Sequence, residues 1–352
     1  METTDFAIVI SYGRYFATKN SVYCFEPLGD VLKYNLQSYY NIPDDKFFND
    51  ISEVPENTPV LQISAECFDI PKDIVDIILK EYETCGDVRA FDSRNNMILA
   101  EITSSDNPNC KYFSVGYNPV QNFRELRERN KISQDKIIER LEKNGVQFVS
   151  LDGVGVSPFA RIESGTIIYQ DTMIRGKSKV GKNTILGPNT IIDNSTIGEN
   201  CVINSTQIYL STLEDNVKIG PFCHIRPNSV IKSGVKIGDF VEVKNSVIGE
   251  NTHASHLAYI GDSDVGRDVN FGCGCVTVNY DGINKARCTI GDRAFIGCNT
   301  NLVAPVVIGD DAFTAAGSTL TKDVPSGALA VSRAREQHII DGWVEKHRNK
   351  NK

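Results

Sequence analysis

The sequence predicts a β-solenoid, a parallel β-helix of six-residue repeats, preceded by a small α/β domain and a connecting helix. Three observations carry this. An aliphatic or small residue returns every sixth position, strictly so at Ile219, Ile225, Ile231, Ile237 and Val243 and again from Ile290 through Ile296, Leu302 and Ile308 to Thr314 and Leu320. Gly often follows it, as in Ile197-Gly198, Ile237-Gly238 and Ile308-Gly309. The period holds from Val156 to Val324 with slips of one residue, which neither a 3.6-residue helix nor an isolated two-residue strand explains. Three short strands then make one triangular coil, with the aliphatic residue inside and Gly easing the corner. Coils stack at strand spacing, so residues about eighteen apart form columns.

Residues 1–120 read as a separate α/β unit. Phe6 to Ile10 and Thr58 to Ser64 suggest buried strands, Asp73 to Lys80 a helix after Pro71, and Met97 to Ile102 a further strand. Residues 121–150 form a connector: Gln121 to Lys143 lacks Gly and Pro, spaces Phe123, Leu126, Ile137, Ile138 and Leu141 as a helix does, and stops at Asn144-Gly145. The solenoid occupies 151–324. Residues 325–352 leave the six-residue phase and form a tail that packs along the solenoid or onto a neighbour.

The formal net charge of −8 argues against a nucleic-acid or membrane partner held by bulk electrostatics. No long apolar run marks a leader or a membrane span, so a soluble, cytoplasmic protein is expected. The ten cysteines show no paired metal-ligand spacing and read as reduced thiols, mostly filling the core.

Chemistry concentrates on one face. Arg226 and Lys244 each follow an inward aliphatic residue and stand eighteen apart, which stacks them as a ladder of two cations. His224, Glu242 and Tyr259 each precede an inward residue and form a second column once the slip between Val243 and Ile248 is counted; His256 falls near a corner of the coil that carries Tyr259. Arg with Lys suits a phosphate, Glu242 can orient an imidazole, and His256 can take a proton. Singly, each residue has a plain reading: a solvated His, or a surface ion pair between Arg226 and Glu242. Together they supply base, orienter and cation. Between Thr277 and Ile290 the phase breaks, and the stretch Val278 to Lys285 reads as an extruded loop with Asp281-Gly282 at its turn, placed to close a site on an adjacent subunit.

The stretches "NGVQFV", "GPFCHIRPNSV", "IGDFVEVKNSVIGENTHASHLAYIGD", "VNFGCGCVTVNYDGINK", "LVAPVVIG" and "SRAREQ" resemble the acetyltransferase half of the bifunctional bacterial uridyltransferase/acetyltransferase enzymes of UDP-N-acetylglucosamine synthesis. The resemblance runs from about Glu125 to Trp343. It implies a left-handed winding and acetyl transfer from acetyl-CoA to the amine of glucosamine 1-phosphate, with no metal needed for that step. It implies His256 as general base oriented by Glu242, and Arg226, Lys244, Tyr259, Asn270, Asn279 and Lys285 on the sugar phosphate. It further implies Cys273, Tyr280, Cys298, Ala316 and Arg333 along acetyl-CoA, and a homotrimer with sites shared between chains. Where relatives carry Ala in a "GAG" turn, this chain has Cys273.

The front domain departs further from that family. Full-length relatives begin with a Gly-rich nucleotide loop, where this chain has Ser11-Tyr12-Gly13-Arg14-Tyr15-Phe16, too bulky to wrap phosphates. "TPVLQISAECFDIPKDIVDIIL" carries Ala65-Glu66 where Gly-Asp would stand at a metal site. Residues 1–120 are therefore expected to be a shrunken, inactive nucleotidyltransferase relative. The competing expectations are retained uridyl transfer, a different amino-sugar phosphate as acceptor, and a scaffold in which the repeats only space domains.

Overall fold

A computed structural model describes residues 7–11, 22–23, 26–48, 50–55, 58–85, 87–92, 98–103 and 110–334. The chain divides into two compact units, residues 1–143 with 155–160, and residues 144–154 with 161–352.

The first unit contains β1 (Ala7–Ser11), α1 (Leu28–Tyr40), β2 (Phe47–Phe48), β3 (Val60–Ser64), α2 (Lys72–Cys85), β4 (Val88–Phe91), β5 (Ile98–Thr103), β6 (Lys111–Ser114) and α3 (Phe123–Lys143). Its six-stranded sheet runs β2-β1-β3-β5-β4-β6. β1 pairs parallel with β2 and β3, whereas β5 is antiparallel to both its neighbours. The expected strands and helices are present to within a few residues; Phe6 and Met97 lie outside the described residues, as does the stretch Tyr12 to Phe16. Helix α1, for which the sequence reading gave no element, buries Leu28, Val31, Leu32 and Leu36 at helical spacing. Helix α3 is held to this unit by Arg129, whose Nη1 donates to both oxygens of Asp69 at 2.6 Å while Nη2 donates to the Asn118 carbonyl. Glu66, which follows β3, is fully buried and accepts a hydrogen bond from the Ser64 hydroxyl.

The second unit is the solenoid. Three parallel sheets run its length, each strand pairing with its equivalent one coil on. The inward columns are aliphatic: Val180, Ile197, Leu213, Ile231 and Ile248 in one sheet, Leu186, Ile203, Ile219 and Ile237 in the second, Ile192, Ile208, Ile225, Val243 and Ile260 in the third, all buried. Thr277 and Thr314 take the same inward position, also buried. Their hydroxyls are satisfied inside the prism: Thr277 Oγ1 accepts from the Gly261 amide at 2.7 Å and Thr314 Oγ1 from the Gly297 amide at 2.9 Å. Many corners are residues in the left-handed region, among them Asn228, Asn245, Leu257, Asp262 and Asn299. Asn and Asp tolerate that conformation better than other side chains, which fits their abundance at these turns. Of the nine cysteines among the described residues, Cys67, Cys201, Cys223, Cys275 and Cys288 are buried. The tail is described only to Ala334, and residues 335–352 lie outside the description.

Candidate active site

Six solenoid strands frame the site: β7 (His224–Ile225), β8 (Glu242–Lys244), β9 (His253–His256), β10 (Tyr259–Gly261), β11 (Asn270–Phe271) and β12 (Val276–Val278). The register pairs His224 with Glu242 and Glu242 with Tyr259, so the expected outward column is present. The one-residue slip is absorbed at the corner after Lys244, where Asn245 takes φ 47° and Ser246 is buried.

The two expected cations do not form a bare ladder, because each carries its own carboxylate. Arg226 Nη1 lies 2.8 Å from Glu242 Oε1, and Lys244 Nζ lies 3.1 Å from Asp262 Oδ2. The first pair is two-fifths exposed; in the second, the Asp262 side chain is only 5% exposed. Burial, the largest single influence, acts to lower the Lys244 pKa, and the hydrogen bond and charge of Asp262 together with Lys285 and Tyr259 outweigh it, holding the ammonium above its ordinary value. For Asp262, burial acts to raise the pKa, and hydrogen bonds from Asn245, Lys244 and Asn279 hold the carboxyl below its ordinary range.

Tyr259 folds its ring over Gly261. A Cβ at Gly261 would meet the phenol and come within 2.6–2.7 Å of two ring carbons, so glycine is what lets the ring lie there. The ring's hydroxyl thereby reaches Asn279, whose Nδ2 donates to it at 3.3 Å and also to Asp262 Oδ2. Asn279 is buried at the root of the extruded segment, which is therefore not free along its whole length. The segment turns through Gly282 at φ 100°, Asp281 Oδ1 accepts from the Ile283 and Asn284 amides, and Tyr280 and Lys285 face each other across it. Arg287 closes the far root with two bonds to Asp264 and one to the Asn245 carbonyl.

Against the one-face expectation, His256 stands exposed not on the sheet of the cations but on the adjoining sheet, in register with Asp239, one residue before the corner where β9 turns through Leu257 into β10. The structure differs here from the expectation for Glu242. Glu242 accepts from Arg226, and among the described residues no hydrogen bond joins it to His256. Arg226 lies two residues beyond Glu242's register partner, a diagonal that a long side chain spans, whereas His256 belongs to the strand before the corner. Below His256 runs a column of equivalent turns: the Gly274 amide donates to Leu257, Asn299 to Cys273 and Gly317 to Cys298. Cys273, Cys298 and Ala316 thus share one corner with His256, and Arg333 Nη1 reaches the Ala316 carbonyl at 3.0 Å. Asn270 sits apart from the cations, on the adjoining sheet, in register with His253. Tyr280, exposed, hydrogen-bonds through its hydroxyl to Gly282 within its own turn.

Asp262, Asn245 and Arg287 were not singled out from the sequence. The trace of Asp262 there is an acid eighteen residues after Lys244, one coil away; Arg287 lies just past the quoted "VNYDGINK" stretch and had no periodic cue.

The family described as Bacterial transferase hexapeptide (six repeats) matches residues 211–245 and 287–322. Those two stretches match the six-residue repeat of that family. Beyond them, the chain is 48% identical over 206 residues to the Bifunctional protein GlmU of Caldicellulosiruptor saccharolyticus, 58% of this chain and 44% of that protein. It is 46% identical over 222 residues to GlmU of Clostridium acetobutylicum, covering 63% and 48%, and 48% identical over 224 residues to that of Halalkalibacterium halodurans, covering 64% and 49%. The C-terminal three-fifths of the chain is thus homologous to GlmU, and the chain spans about half the length of these relatives. Among the described residues, no group of three or more His, Cys, Asp or Glu is arranged to hold a metal ion, and no helix is long and apolar enough to cross a membrane.

Proposed function

We propose that this chain is a cytoplasmic hexapeptide acetyltransferase that moves an acetyl group from acetyl-CoA to the amine of glucosamine 1-phosphate, working as a homotrimer. The observation that carries the reading is the arrangement about one solenoid corner: Arg226, Lys244, Tyr259 and Asn279 on the sheet that follows it, and an exposed imidazole, His256, on the adjoining sheet just before it. The hexapeptide match and the GlmU homology support the reaction class.

In this reading the phosphate takes the Arg226 and Lys244 end, with Tyr259 and Lys285 beside it. Arg226 exchanges part of its Glu242 pairing for phosphate oxygen. The sugar amine is nucleophilic only without its extra proton, and His256 removes it. Nitrogen then attacks the thioester carbonyl, the C–S bond breaks, and coenzyme A leaves as thiol. A positioned base contributes about 10²–10⁴-fold. The acetyl donor lies along the Cys273–Cys298–Ala316 corner, with Arg333 at its end. Asn270, on the adjoining sheet, meets the sugar from a neighbouring chain.

Glu242 acts here through Arg226 as much as through His256. Nucleotidyl transfer is absent in this reading: the acid nearest a metal-site position in the front unit, Glu66, is fully buried against Ser64. The test is an acetyl-transfer assay across amino-sugar phosphates beside a UTP-consumption assay. Coenzyme A release with glucosamine 1-phosphate, and no pyrophosphate from UTP with N-acetylglucosamine 1-phosphate, is the expected result. Absence of coenzyme A release with every amino sugar would leave the chain as a scaffold.

A further inference from the structure

Asp262 sits between two asparagines contributed by the coils on either side. Asn245, seventeen residues before it, donates from Nδ2 to Oδ1, and Asn279, seventeen residues after it, donates from Nδ2 to Oδ2; Lys244 Nζ adds a third donor at 3.1 Å. The carboxylate is nearly sealed, and its Oδ2 lies against Lys244, at the proposed phosphate end, and against Asn279.

We infer that Asp262 is a positioning residue that fixes the hydrogen-bonding polarity of the acceptor-sugar site, forcing Asn279 to present an acceptor and Tyr259 to present a donor. A carboxylate held ionised only accepts, so the nitrogen of the Asn279 amide must face it. The second hydrogen of that nitrogen goes to the Tyr259 oxygen at 3.3 Å. Both amide hydrogens are then used, and the Asn279 carbonyl oxygen is the group left for a ligand. Tyr259, having accepted, keeps its own O–H hydrogen for an acceptor such as a phosphate oxygen. Because carboxamide oxygen and nitrogen are close to isosteric, Asn279 alone would carry no preference between the two orientations. The same carboxylate holds Lys244 charged beside that O–H. The site thus offers two donors to an anion and one acceptor to an amine or hydroxyl, from a single buried acid. None of these residues belongs to the Cys273–Cys298–Ala316 corner along which the acetyl donor is proposed to lie.

This inference rests on the proposed amino-sugar phosphate reading, and the test separates the two. Wild type, Asp262→Asn and the exchange Asp262→Asn with Asn279→Asp are compared for steady-state kinetics, for calorimetric binding of glucosamine 1-phosphate, and for melting temperature. The exchange restores a carboxylate–amide pair and the net charge while reversing the polarity. The expected result is that Asp262→Asn raises KM and Kd for glucosamine 1-phosphate by about tenfold or more while leaving the acetyl-CoA KM in place. In the exchange variant stability returns and the raised KM and Kd remain. Recovery of KM and Kd together with stability would make Asp262 a merely structural contact and overturn the inference. Should Asp262→Asn fail to fold, Tyr259→Phe removes the presented donor from the other end. A KM and Kd for the sugar phosphate unchanged by it would overturn the relay. Binding with this pattern in a wild type that releases no coenzyme A would retain the relay and reject the acetyl-transfer reading; a wild type that neither turns over nor binds rejects both.

Discussion

Arg226 and Glu242 face each other across adjacent coils at 2.8 Å, a guanidinium whose charge is already matched by a carboxylate. Replacing Arg226 by Ala is expected to raise KM for the sugar phosphate by about 10- to 100-fold, the range for a charge-assisted hydrogen bond, with the acetyl-CoA KM unchanged. Glu242→Gln frees the guanidinium, so it should lower that KM if Glu242 acts chiefly on Arg226. A drop in kcat instead would show that Glu242 acts through His256.

His256 is exposed and supports no packing, so His256→Ala should leave the melting temperature within about 1 °C while cutting kcat by about 10²–10⁴-fold. Near-normal turnover in His256→Ala would remove it from the mechanism.

Gly261→Ala tests the seating of Tyr259. The new methyl group would displace the far end of a side chain that can rotate away, so the fold should survive while the hydroxyl leaves Asn279. The variant should match Tyr259→Phe in its KM for the sugar phosphate and match wild type in its KM for acetyl-CoA. Kinetics for the two variants side by side decide it.

Thiol reactivity should divide sharply. Burial pushes the Cys201, Cys275 and Cys288 thiols up to about 11, leaving roughly a thousandth as thiolate at pH 8. Cys85 and Cys298 are exposed. Mass spectrometry after brief iodoacetamide treatment should find Cys85 and Cys298 alkylated and the buried three untouched until denaturant is added. Acetyl-CoA should slow modification at Cys298 alone.

The root of the extruded segment should loosen in acid. Hydrogen bonds from Arg287 hold Asp264 below the ordinary carboxylate range, against burial. A carboxyl depressed in the folded state stabilises above its unfolded value, about 4, and that contribution disappears as pH falls through the folded value beneath it. Proteolysis near Ile283 should therefore quicken in Arg287→Ala at pH 7. The difference from wild type should shrink below pH 4, although both side chains are about half exposed and the effect should be modest.

The solenoid was legible because one inward residue in six recurs regardless of which side chains decorate the outside. The column His224–Glu242–Tyr259 followed from the same count once the slip was placed. The Asp262 contacts did not, because a left-handed corner residue obeys neither the two-residue alternation nor the six-residue phase, and its neighbours become neighbours only through stacking. Glu242's pairing was legible only as its plainer alternative: the same register that lines up the column also brings Arg226 within a diagonal's reach. In the front unit, α1 carried its apolar spacing in Leu28, Val31, Leu32 and Leu36, but polar residues and tyrosines interrupt it. Short strands such as Phe47–Phe48 leave too few residues for any period to register.

Asp264 and Thr289 lie in register although twenty-five residues part them, where the coils from Arg161 to Asn270 need sixteen to eighteen. The surplus chain leaves and rejoins the ladder with the pairing on either side of it kept, and its tip at Ile283 is 85% exposed. That turn is a natural port for engineering: a short fluorescent or affinity peptide spliced after Gly282 would ride outside the prism, reporting on occupancy of the adjoining face while every rung stays bonded.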